Sequence, residues 1–298
     1  MTYGLNRQYI PDEAAIEQPT PTQLATAAKG MLIRSPFTFP MTNRLLASLP
    51  QVELNALRPH LTRARLVAKQ VLIERGRPPE HVFFIEEGLA SIVAETEQGE
   101  HGVQVAMIGR EGMVGSLALL NDKSAACGTG IMQIPGSALR IPVAKLRHCL
   151  DDCPVLRNIS MGFVESLTRQ LMSVAALNIR CTLIERYVYW LLMAHERMDG
   201  EELPVTQEAL SILLGVRRSG VTVATTMLQK EGLISTSRGR IKIVDRDGLE
   251  AMVRSRSSND RIGSLDGPSA ARTHVIHGHD ANSMKTPHRQ IDEEIDFP

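Results

Sequence analysis

Residues 203–222 read Leu203-Pro204-Val205-Thr206-Gln207-Glu208-Ala209-Leu210-Ser211-Ile212-Leu213-Leu214-Gly215-Val216-Arg217-Arg218-Ser219-Gly220-Val221-Thr222. Thr206 has the chemistry of a helix N-cap, because its hydroxyl can accept from the open amides of a first turn, and Gln207-Glu208 begin a short helix behind it. Gly215 breaks that helix. Arg217-Arg218-Ser219 then start another, whose Val221, Ala224, Thr225 and Leu228 fall on one face at helical spacing. Two short helices around a glycine turn predict a helix-turn-helix. Before it, residues 183–198 form an amphipathic helix ended by Asp199-Gly200 and Pro204. After Gly232, residues 233–236 and 240–244 alternate as two strands around Ser237-Arg238-Gly239, which completes a winged element.

The chemistry of such an element dictates what it must expose. A helix entering the DNA major groove presents its N-terminal side chains to base edges, while its apolar face holds the preceding helix. Arg217, Arg218, Ser219 and Thr222 are so placed, Thr206 and Gln207 start the supporting helix, and Arg238 and Arg240 flank the wing tip where a phosphate backbone would pass. From Gly215 to Lys242 there are six basic side chains against one acidic, a local charge of +5 over 28 residues. The whole chain gives no such signal, since 33 Lys plus Arg balance 33 Asp plus Glu. A helical hairpin can also dock a protein partner, as the output surface of a regulatory module. That alternative has no need of arginines at both the helix start and the wing tip.

Upstream, a helical period begins at Pro154, acceptable in a first turn, and runs to about Asn178. Val164, Leu167, Leu171 and Val174 step by 3, 4 and 3, the spacing of a two-stranded seam, while Leu156, Ile159 and Phe163 occupy a neighbouring face that can cover another domain. Two stripes predict two contacts, and hence a homodimer through this helix. A helix buried on one side within a monomer is the competing reading. Between about Leu61 and Pro142, short apolar runs alternate with turn signals such as Glu86-Glu87-Gly88, Gly109-Arg110-Glu111-Gly112 and Pro135-Gly136-Ser137. Roughly eight closely spaced strands predict a small antiparallel β-roll or jelly roll.

The fold class is therefore α+β. Residues 1–40, with five prolines and no periodicity, read as a disordered extension, and residues 255–298, with eight large apolar residues in 44, as a disordered tail. Between them lie a sensor-sized β domain over 41–150, a dimerisation helix over 151–180 and the winged helix-turn-helix over 181–254. With 298 residues and 43% hydrophobic content the chain can bury a sizeable core. It has no unbroken apolar run of about 20 residues and no basic-apolar leader, which points away from a membrane partner. Its four cysteines form no close-set framework, so a reducing cytoplasm is the expected location.

Catalytic signatures are missing: no His-Glu-x-x-His, no Gly-x-Ser-x-Gly, no phosphate loop, and Gly128-x-Gly130 lacks the third glycine of a dinucleotide fingerprint. The sequence gives no reason to expect an enzyme. Cys149 and Cys153 stand four apart beside His148, and Cys181 precedes the winged element, but a fourth metal ligand is lacking and small buried apolar cysteines are the commoner case. His274, His277 and His279 fall in the tail and are expected to be solvated. No metal and no cofactor are assigned.

These features together resemble the Crp/Fnr family of bacterial transcription regulators over about residues 43–254. The stretch quoted above is similar to the family's DNA-binding signature, and Gly109-Arg110-Glu111-Gly112-Met113-Val114-Gly115 to the strand and turn entering its phosphate-binding cassette. The resemblance implies a cyclic-nucleotide-binding-like sensor, a long dimerisation helix, a double-stranded DNA operator, and RNA polymerase as a further partner. Family members that bind cyclic nucleotides carry Gly-Glu-Leu and then Arg-Ser in the cassette, where the Glu holds the ribose and the Arg the cyclic phosphate. The matching residues here are Gly115-Ser116-Leu117 and Lys123-Ser124. Ser116 is too short to replace a carboxylate, and Lys123 cannot make the bidentate grip of a guanidinium. Leu171 and Met172 fall where the cyclic-AMP binders have adenine-contacting hydroxyls, so the resemblance implies an effector pocket whose ligand is not cyclic AMP. On the recognition helix, Arg218 matches a guanine-reading Arg, whereas Ser219 and Val223 replace a Glu and a second Arg. The operator is expected to differ accordingly.

Overall fold

A computed structural model describes residues 41–95, 102–121 and 125–257. The expectations for residues 1–40, for the tail after 257, and for Lys123 and Ser124 lie outside the described residues. The chain opens with helices α1 (Arg44–Ala47) and α2 (Gln51–Leu57). Asn43 fixes them in place: its carboxamide oxygen accepts from the Leu45 and Leu46 amides, and its Nδ2 donates to the carbonyls of Ile85 at 2.8 Å and Gly112 at 2.9 Å. A buried Asn that satisfies both ends of its amide joins the N-terminal helix to the sheet.

The sheet is antiparallel and six-stranded: β1 (Thr62–Leu66), β2 (Val71–Ile73), β3 (His81–Ala94), β4 (Val103–Ile108), β5 (Met113–Val114) and β6 (Thr129–Pro142). β6 and β3 form its spine, β1 and β2 pair with β6, and β4 and β5 pair with β3. About eight strands were expected, and the difference has a physical cause. Glu86-Glu87-Gly88 and Pro135-Gly136-Ser137 are not turns between strands. They are facing irregularities within two 14-residue strands, where the pairing shifts from Ile85↔Ala138 through Glu87↔Ser137 to Leu89↔Ile134. Gly88 takes φ +84°, and a side chain at Gly136 would lie 2.0 Å from the Glu87 carbonyl oxygen, so glycine is what allows the backbones this close. The shift bends the sheet without breaking it.

Helix α3 (Val143–Asp152) follows, then the 27-residue α4 (Pro154–Arg180). The first amides of α4 are satisfied from α2, since the buried Glu53 carboxylate accepts from Val155 N at 3.1 Å and Leu156 N at 2.7 Å. Leu156, Phe163 and Leu167 then enter the sensor core with Leu46, Phe84, Met113 and Ile141.

The C-terminal part comprises α5 (Leu183–Arg197), β7 (Glu202–Leu203), α6 (Gln207–Leu213), α7 (Arg218–Lys230), β8 (Ile234–Ser237), β9 (Arg240–Ile243) and α8 (Arg246–Ser257). α5 opens with a capping box in which Thr182 and Glu185 satisfy each other's backbone amides. Two features extend the sequence reading. β7 adds a third strand to the wing by pairing with β9, and α8 runs three residues into the segment read as tail. Val221, Ala224, Thr225 and Leu228 are buried on the inner face of α7, as their spacing predicts.

Candidate nucleic-acid interface and sensor cavity

Thr206 caps α6 as expected, its hydroxyl accepting from Ala209 N at 3.1 Å. Gln207 Oε1 accepts from the Thr222 hydroxyl at 2.9 Å, which ties the start of α6 to the second turn of α7. Arg217 is the N-cap of α7, and Arg218, Ser219 and Thr222 stand exposed on its first turns. A groove of about 340 Å³ runs between these helix starts and the wing, lined by Thr206, Gln207, Arg218, Thr236 and Arg240. Tertiary structure thus brings together residues 34 positions apart. The exposed face of α7 continues through Val223, Thr226, Met227 and Gln229, the last donating to the Thr236 hydroxyl at 3.1 Å. Thr226 and Gln229 escaped the sequence reading, although their helical spacing from Ser219 and Thr222 would have found them.

The wing is less basic than the run from Gly215 to Lys242 implied. Glu201 and Glu202 lie outside that run, but the β7–β9 pairing sets them beside it: Arg240 Nη1 is 3.2 Å from Glu202 Oε2, and Lys242 Nζ is 2.7 Å from Glu201 Oε2. The Lys242 hydrogen bond and charge hold the Glu201 carboxyl below its ordinary range, and Glu201 in turn raises the Lys242 ammonium. Arg238, at the tip, makes no such ion pair among the described residues.

On α4 the predicted seam residues divide. Leu167 is buried in the sensor core, Val164 and Val174 are half-buried, and Leu171 is 37% exposed. Met161, Met172 and Ile179, at 36%, 69% and 84%, are the large apolar side chains presented outward beside Leu171.

A cavity of about 250 Å³ opens within the sensor sheet. Ile73, Ile92, Val105 and Ile108 wall it, the turn over residues 115–118 closes one end, and Leu167 and Leu171 of α4 close another. Gly115, Ser116, Leu117 and Leu171 therefore share one cavity. Met172 is not part of its lining. No charged side chain among the described residues reaches it.

The winged element packs directly on the sensor. Leu89, Met107 and Ile134 of the sheet lie in one core with Leu210, Leu213 and Val221. Trp190 Nε1 donates to Gln104 Oε1 at 2.9 Å, and the guanidinium of Arg197, 5% exposed, lies 2.8 Å from Glu111. Gly215 takes φ +64°, and a side chain there would lie 2.9 Å from Val103, so the turn of the helix-turn-helix rests on β4. Cys149 and Cys153 are buried thiols, and desolvation pushes both above the ordinary thiol range, which disfavours the reactive thiolate. Among the described residues no group of three or more His, Cys, Asp or Glu side chains is arranged to hold a metal, and no helix is long and apolar enough to cross a membrane.

An antiparallel sensor sheet, a long helix and a winged helix-turn-helix in that order define a transcription regulator with a ligand-type sensor. Family comparison gives the same order: residues 63–153 match the cyclic nucleotide-binding domain and residues 185–252 the Crp-like helix-turn-helix domain. The chain belongs to the Crp/Fnr family of transcription regulators. Among solved structures, FixK2 from Bradyrhizobium japonicum aligns with a TM-score of 0.56 at 15% identity, covering 64% of this chain and 96% of that one. A regulator assigned to the crp/fnr family from Eubacterium rectale gives 0.54 at 18%, covering 71% and 98%. The c-di-GMP responsive global regulator CLP from Xanthomonas campestris gives 0.54 at 17%, covering 65% and 99%. At these identities the likeness is one of fold. A comparison with curated proteins returned no match.

Proposed function

We propose that this chain is a sequence-specific, homodimeric regulator that binds a double-stranded DNA operator in the cytoplasm and answers to an effector other than cyclic AMP. The groove between α6, α7 and the wing supports the first part: Arg218, Ser219 and Thr222 stand exposed at a helix start, and Arg238 is exposed in the turn of the wing. A protein-docking surface would need no such pairing of a base-reading helix with a cationic strand tip. The dimer reading rests on α4, where Met161, Val164, Thr168, Met172, Ala175 and Ile179 follow one another at steps of 3 or 4 around the face turned from the sensor core. That face adjoins the predicted seam and shares Val164 with it. The residues Ser116 and Leu171 at the matching positions, in a cavity whose described lining carries no charged side chain, support the third part.

Selection of binding sites from random DNA is the test. The expected product is a near-palindrome with half-sites about one helical turn, roughly 34 Å, apart. Calorimetry on the same protein should show no saturable cyclic-AMP binding. Selection of no sequence above random would refute the regulator reading.

A further inference from the structure

The sensor cavity has a chemistry of its own, and it differs from that of a nucleotide site. We infer that it binds an uncharged, apolar small molecule, and that this molecule is the effector; the second half rests on the regulator reading above. The volume, about 250 Å³, is far more than a single water needs and leaves room for a small organic molecule. Water is a poor occupant, because a buried water needs two to four polar partners and the described wall is mainly Ile73, Ile92, Val105, Ile108, Leu167 and Leu171, with Ser116 and Cys127 as its polar side chains. An anion or a sugar is poorer still, since among the described side chains of the lining none is charged and its desolvation would go uncompensated there. An apolar ligand loses nothing by entering and removes its own surface from water.

The position of the cavity explains how occupancy would be read. β4 separates it from the winged element: Val105 and Ile108 line the cavity, while on the same strand Gln104 accepts from Trp190 and Val103 supports the turn at Gly215. Its far wall is Leu167 and Leu171 of α4. Filling the space therefore presses on both elements that connect sensor to DNA reader. A binding free energy that differs between two placements of β4 and α4 is all that coupling requires.

The probe is 1-aminonaphthalene, uncharged at neutral pH and brighter in apolar surroundings, titrated into the full chain and competed with n-octanol, octanoate and cyclic AMP. The expected result is saturable binding of one probe per protomer, displaced by n-octanol at least tenfold more effectively than by octanoate and not by cyclic AMP. Two variants at half-buried wall positions, Ile92→Gln and Ala94→Phe, should weaken the probe at least tenfold while leaving the far-ultraviolet dichroism of the fold intact. n-Octanol should change affinity for the selected DNA at least threefold in the parent and not in Ile92→Gln. Absence of saturable probe binding, displacement by cyclic AMP, or undiminished binding in folded variants overturns the assignment of the cavity. Probe binding with no change in DNA affinity overturns its role as effector site. Failure of the parent to select any DNA is a separate result, which refutes the regulator reading and leaves the ligand chemistry standing on the probe data.

Discussion

Arg218 begins α7 with its side chain in the groove and its carbonyl accepting from the Thr222 hydroxyl at 3.1 Å, so its backbone is held and its guanidinium is left to read. A bidentate Arg–guanine contact is worth about 1–3 kcal/mol of discrimination, and Arg218→Ala should flatten preference at one position per half-site. Arg238 and Arg240 differ from it and from each other. Both sit on the wing, but Glu202 already neutralises part of Arg240. Arg238→Ala should therefore lower affinity for selected and scrambled DNA together and reduce the slope against log salt by about one per contact, whereas Arg240→Ala should do so more weakly. Binding titrations of the three variants across a salt series decide the point. Equal losses at both arginines would mean that DNA displaces Glu202 completely.

At the scale of elements, α4 serves two cores. Its inner face holds Leu156, Phe163 and Leu167 against the sensor, and its outer face carries Met172 and Ile179 in solvent. Leu167→Ala should cost about 2–5 kcal/mol of sensor stability through the cavity it leaves, with the dimer still formed. Met172→Glu combined with Ile179→Glu should yield folded monomers, because both side chains are already exposed and two buried carboxylates per protomer are intolerable at an apolar seam. Sedimentation equilibrium with a parallel urea titration separates the two outcomes. A dimer that survives the double substitution would move the interface elsewhere.

At the scale of the molecule, the winged element is held on the sensor by a shared core and a few polar ties. Glu111→Gln would leave the Arg197 guanidinium almost buried opposite a neutral amide, a loss on the order of 1–3 kcal/mol. Pairing it with Arg197→Met should recover part of that loss, which a double-mutant cycle in urea would measure. His195 adds a pH dependence. Burial, and then the neighbouring Arg246 guanidinium, hold the imidazole below its ordinary value of 6.5, and Nδ1 lies 2.8 Å from Arg246 Nη1, as an acceptor in the neutral ring; Glu196 and Glu201 pull weakly the other way. The unfolded chain binds this proton first as pH falls, so the contribution is complete above the ordinary imidazole value and is lost as pH drops through the lowered one. Thermal unfolding of the parent should show declining stability below about pH 6.5, and His195→Gln should show a shallower decline over the same interval. Parallel profiles would mean that the ring is solvated in the native state.

Local chemistry was sufficient for the reader of DNA. The Thr206 cap, the Gly215 break, the Arg217–Arg218 start and the apolar spacing of α7 are all effects within a few residues, and the structure reproduces each of them. The long helix was legible for the same reason, whereas the reading of Ser116 and Leu171 as effector-pocket positions rested on the family resemblance and not on local chemistry. What sequence left undecided depends on groups far apart in the chain. Glycines at 88 and 136 look like turn residues until the facing strand shows that they let two bulges meet, because a turn and a bulge require the same backbone freedom. Glu201 and Glu202 lie outside the basic run until β7 pairs with β9 and sets them against Lys242 and Arg240. The sequence reading put Leu167 in the dimer seam, whereas the structure buries it in the sensor core with Leu156 and Phe163, since two neighbouring apolar faces with the same period differ only in what lies opposite. The cavity is the furthest from sequence: its described walls come from β2, β3, β4, the turn over residues 115–118 and α4, and their shared apolar character exists only once they enclose one volume.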